Sequence, residues 1–130
     1  MEGLFLLWSG AICYYDLRFH RIPNLLTYPA AVVCLPLVSV HVFGLAWPLL
    51  YVLVNQINRI ASTTFMKRVR LGGGDYKLAI SLGLLVGDDV LIAIIGAQIF
   101  TLAAIIMKKT THVAHGPAML AAAIATVWLP

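Results

Sequence analysis

An all-α fold, a polytopic membrane protein with about six transmembrane helices, is the class this sequence predicts, and three observations predict it. Apolar residues make up 62% of the 130 and charged ones only 11%, against roughly 45–50% and about a quarter in soluble domains. The mean hydropathy is +0.94. The apolar residues also gather into runs, over 2–20, 25–43, 44–62, 71–88, 89–107 and 117–130, with only short polar interruptions. No polar stretch is long enough to build a separate soluble core, so residues 1–130 read as one transmembrane domain. The lipid bilayer is the implied surrounding partner, and no nucleic acid is implied.

Each element follows from its run and its breaker. The first run, LFLLWSGAICYY, has no basic segment before it, and the first positive charge is Arg18; it reads as a retained helix, not a cleaved signal. A span needs about 20 residues at about 1.5 Å each, so this helix must run past Tyr15 toward His20, which places Asp16 within its end. RIPN closes it, with Pro23 and Asn24 ending the first helix and starting the second, Asn24 as the cap. FGLAWP turns the chain between the second and third spans. Glycines and basic residues precede the fourth, which must begin before Tyr76 and so includes Asp75. GDD separates the fourth from the fifth. HGP opens the sixth, where Pro117 after Gly116 suits a first helical turn; at fourteen residues this span reaches only about 21 Å. Cys13 and Cys34 lie inside apolar runs without a CxxC pattern and read as buried thiols.

Charge then orients the bundle. All nine Lys and Arg residues fall on alternate connections: Arg18 and Arg21 after the first span, Arg59, Lys67, Arg68, Arg70 and Lys77 around the third-to-fourth connection, and Lys108 and Lys109 after the fifth. The positive-inside rule puts these connections in the cytoplasm and both termini outside. As contacts to anionic lipid, such residues need no further role. Among the acids, Glu2, Asp88 and Asp89 belong to the outer side. That leaves Asp16 and Asp75 as the carboxylates at inner helix ends, where an ionisable group is costly unless it faces a cavity or a partner. Gly72, Gly73 and Gly74 precede Asp75, and glycine lets a second backbone come close to it. Lys77, two positions beyond Asp75, is expected on a different face of the helix, snorkelling to the interface.

Three stretches carry a resemblance to a known family. GGGDYK is similar to the GxGDxK pattern of the GxGD membrane aspartyl proteases in their prepilin peptidase branch. DLRFHRIPNLLTY resembles the first signature of that branch, and HGPAMLAAA its late loop. In this order they cover nearly the whole chain. The resemblance implies hydrolysis of the leader peptide of a prepilin or pseudopilin at the cytoplasmic face of the inner membrane, with the catalytic aspartates carried onto Asp16 and Asp75 and no cofactor or metal. Gly72, Gly74, Lys77, Pro23, Asn24, Gly116 and Pro117 are the supporting positions. Larger members add an N-terminal domain with paired cysteines and often a methyltransferase activity. This chain resembles the minimal tight-adherence (Flp-type) form. It departs from the commoner pattern at His20 and at His115.

Two nearby carboxylates suit amide hydrolysis because both cannot comfortably ionise together: one holds a proton while the other acts as base toward water. A metal site assembled from His20, His112 and His115 is the weaker enzyme reading, since no HExxH is present. The alternatives from other classes are a small proton- or cation-coupled transporter using the aspartates as relay groups, and a pilus-assembly membrane subunit that keeps the fold without cleaving.

Overall fold

The computed structural model describes residues 2–60, 73–109 and 113–129. Among them the chain is helical almost throughout, with α1 (Glu2–Phe19), α2 (Asn24–Cys34), α3 (Ala46–Ile60), α4 (Gly73–Val86), α5 (Val90–Lys108) and α6 (Gly116–Trp128). Short 3-10 turns join α2 to α3 and α4 to α5. The second apolar run, expected as one span over 25–43, does not stay α-helical. It passes at Cys34 into a 3-10 turn, Leu35–Ser39, with Pro36 in its first turn. Proline has no N–H to continue the α-helical ladder, and its ring crowds the preceding turn. Between α4 and α5 the backbone of Gly87 takes φ +69°, a left-handed conformation that glycine adopts without penalty. Among the described residues one continuous helical stretch, Gly73–Lys108, is long and apolar enough to cross a membrane. Asn24–Ser39 and α6 are shorter apolar helices.

α4 stands at the centre, in contact with α2, α3, α6 and the Val42–Leu45 turn. Leu78, Ala79, Ser81, Leu82 and Leu84 are fully buried along it, which is why this helix is apolar on nearly every side instead of carrying a stripe. α5 and α6 pack through small residues: Ala93, Ala97, Ala122 and Ala123 are buried there. Small side chains let helix backbones approach closely where no water drives them together. The outward surface is itself apolar, with Leu4, Leu7, Leu25, Val33, Ile60 and Met107 each more than three-quarters exposed. Lipid tails suit such a surface, and water does not. The hydroxyls of Thr101 and Thr126 each donate to the carbonyl four residues back, so neither of these two donors faces hydrocarbon alone.

The tightest approach is backbone on backbone. A Cβ added at Gly83 would fall on the carbonyl oxygen of Gly44, and one added at Gly44 would fall on that of Gly83. Neither carbonyl can swing aside as a side chain can. Gly83→Val should therefore separate the Val42–Leu45 turn from α4 beside the fully buried Trp47, destabilising the protein by about 3 kcal/mol or more. Thermal unfolding in detergent checks this, and an unchanged transition would show that the contact is dispensable.

Candidate active site

Three helix ends build the site, the last turn of α1 and the first turns of α4 and α6. α1 stops at Phe19 because His20 takes a left-handed backbone, φ 50°, with its N–H donating to the Asp16 carbonyl at 2.9 Å. The next residues run out to Pro23, which is the extended N-cap of α2 at φ −62° and ψ 137°. Asn24 is thus the first helical residue and not the cap, contrary to the sequence expectation. Proline already supplies the fixed φ, and its carbonyl accepts from Leu26 and Thr27. The Asn24 side chain instead accepts a hydrogen bond from Lys77 Nζ at 2.6 Å. The same ammonium lies 4.4 Å from the centroid of the Tyr28 ring, a cation–π distance. Lys77 therefore ties α4 to the start of α2, and it lines the same cleft as Asp75.

Asp16, in the last turn of α1, is only 6% exposed. Its Oδ2 accepts a hydrogen bond from the backbone N–H of Gly116 at 2.8 Å, so the first turn of α6 is aimed at the carboxylate. Pro117 lies in that turn, as expected, where its missing N–H costs nothing. Unpaired N–H groups and the helix dipole both favour negative charge at such an end. Gly116 has to be glycine here: a Cβ would sit 2.6 Å from Asp16 Oδ2 and 3.2 Å from Ile22 Cδ1.

Asp75 occupies the first turn of α4 and is half-buried. Gly74 before it packs against the connection that follows α1, where a Cβ would come 2.9 Å from Ile22 Cβ. Gly73 faces open space, and Gly72 and His112 lie outside the described residues. Gly74→Val should push the RIPN segment away and lower activity about tenfold while the protein still accumulates in the membrane; cleavage assays at matched protein level check it, and full activity would reduce the glycine to a linker.

Asp16 and Asp75 line one cleft of about 990 Å³, together with His20, Arg21, Lys77 and His115 among others. Two carboxylates and two basic side chains, Arg21 and Lys77, therefore line one cleft at one end of the bundle. Sequence reasoning weighed His115 only as a metal ligand and as a departure from a pattern. In the structure its Nε2 lies 2.5 Å from Tyr51 Oη, and its Nδ1 lies 2.7 Å from Thr101 Oγ1. With both nitrogens engaged in hydrogen bonds, the ring has no free lone pair to offer a metal, and among the described residues no three His, Cys, Asp or Glu side chains are grouped to hold one. Burial pushes the imidazole down to about 4 from its ordinary 6.5, since a buried ring resists charging. Ile22 was also missed. The only sequence signals for these contacts were their neighbours, Gly116 beside His115 and Pro23 beside Ile22.

A helical, apolar chain with carboxylates gathered in an open cleft fits the class of peptidases, hydrolases of amide bonds, and residues 3–108 match the type IV leader peptidase family. The match covers most of the chain, which belongs to that family, whose members are membrane proteins. No curated protein and no solved structure gives a significant match.

Proposed function

We propose that this protein is a multi-pass aspartyl endopeptidase of the inner membrane that removes the leader peptide of prepilins at the cytoplasmic face, with Asp16 and Asp75 as its catalytic dyad. The observation that carries the proposal is the shared cleft: the two carboxylates, far apart in sequence, line the same cavity at one end of the helices. Family membership supports the peptidase chemistry. The apolar outward surface supports helices embedded in lipid, with six crossings read from the six apolar runs. Charge supports the side. Arg18, Arg21 and Lys77 lie at the cleft end, and Thr101 of α5 meets His115 there, so Lys108 and Lys109 project beyond it. Positive residues mark the cytoplasmic face.

The ionised carboxylate takes a proton from water, and the resulting hydroxide attacks the scissile carbonyl. The protonated partner hydrogen-bonds to the developing oxyanion. Collapse of the tetrahedral intermediate breaks the C–N bond, the leaving nitrogen takes a proton from the dyad, and one proton remains shared between the two carboxyls. Lys77, held by Asn24 and Tyr28, fixes the mouth of the cleft between α2 and α4.

The test is co-expression with a prepilin from the same genome, read as a mobility shift when the leader is removed. A shift that depends on this protein supports the proposal. An unprocessed prepilin beside correctly inserted protein would overturn it in favour of a non-cleaving assembly subunit.

A further inference from the structure

The Tyr51, Thr101 and His115 contacts have a direction that can be worked out from one bond. Thr101 Oγ1 donates its only proton to the Ala97 carbonyl at 2.8 Å. It can therefore only accept from His115, so Nδ1 carries the ring proton. Nε2 is then the bare nitrogen, and Tyr51 must donate its O–H to it. Each group in the chain Tyr51, His115, Thr101, Ala97 has its role set, with a neutral imidazole in the middle. The low pKa of this buried ring accords with that state.

The chain spans three elements. Tyr51 belongs to α3, Thr101 to α5, and His115 is the residue immediately before Gly116. Whatever holds the imidazole therefore holds the first turn of α6, whose Gly116 N–H rests on Asp16 Oδ2. Tyr51 is 2% exposed, so its hydroxyl has no water to turn to if the imidazole moves. We propose that His115 is a positioning residue for Asp16: pinned between Tyr51 and Thr101, it holds the Gly116 N–H on the carboxylate and so favours the ionised form of Asp16. This rests on the dyad reading above, and it goes beyond that reading by naming the residue that tunes the ionisation of Asp16.

Other titratable groups around the two sites must be held constant. On α1 and its connection they are Cys13, His20 and Arg21. On α4 they are Asp75, Tyr76 and Lys77, and on α3 Tyr51. None is altered by substituting His115 or Thr101. Removing the clamp loosens a hydrogen bond that favours the carboxylate form, so the ionisation of Asp16 moves to higher pH.

The experiment measures cleavage against pH for the full-length protein and for His115→Ala, Tyr51→Phe and Thr101→Val. The expected result is an acid limb displaced upward by about one pH unit in His115→Ala and by less in each partner variant, with kcat falling about tenfold at neutral pH and KM nearly unchanged. An acid limb that stays in place would overturn the proposal even if the rate falls, because a merely structural residue lowers activity without moving it. Infrared titration of the Asp16 carboxyl band, identified by its loss in Asp16→Asn, reads the same ionisation without any substrate. Should His115→Ala fail to accumulate, Tyr51→Phe removes one oxygen and carries the test. Should the protein cleave no prepilin, the functional reading fails while the infrared shift, present or missing, still decides the positioning role.

Discussion

Asp16→Asn and Asp75→Asn are each expected to reduce leader removal by at least about a thousandfold in protein that inserts normally. An amide keeps the shape of the carboxyl, but it can neither take a proton from water nor share one with its partner. Asparagine at position 16 also leaves an acceptor oxygen for the Gly116 N–H, so loss of activity there cannot be put down to a collapsed α6 terminus. The double variant should be no worse than either single one, since groups that act as a unit lose their whole contribution once. Asp88 and Asp89 serve as the internal control. They sit exposed in the turn after α4, at the opposite end from Asp75, and their conversion to Asn should leave cleavage intact. The measurement is the same prepilin mobility shift at matched protein levels. Near-normal cleavage by Asp16→Asn would end the aspartyl mechanism.

Gly116→Ala is expected to cost about a hundredfold although it adds a single methyl group. That methyl would lie 2.6 Å from Asp16 Oδ2 and 3.3 Å from its Cγ, so the carboxyl must rotate or α6 must withdraw. Either movement breaks the 2.8 Å hydrogen bond from the residue's own N–H. A displacement of about 1 Å at a reacting group is enough for a loss of this size. Alanine is a better helix former than glycine, so α6 itself is not weakened, and thermal stability should change much less than activity. Rates near those of the native protein would mean that the close approach of α6 to Asp16 is incidental.

The helical content, the breakers RIPN, GDD and HGP, the first-turn place of Pro117, and the presence of Asp16 and Asp75 at helix ends are all legible in the chain. These are local matters, decided by apolar runs, by proline's missing N–H and by glycine's backbone freedom within a few residues. The second run shows where local reading stops short: its hydropathy continues past Cys34, but Pro36 changes the helix type there. Asn24 shows it again. As a residue type it suits a cap, yet it is occupied by Lys77, 53 positions away.

By itself, then, the sequence determined an apolar all-helical protein with two carboxylates at helix ends and its cations on one set of connections. Only the tertiary structure decided that Gly116 meets Asp16 across 100 positions, that Ile22 lies against Gly74, and that His115 is held between α3 and α5. The physical reason is that hydropathy and backbone preference act along the chain, whereas these contacts depend on how closely the small residues of α4, α5 and α6 let the helices approach.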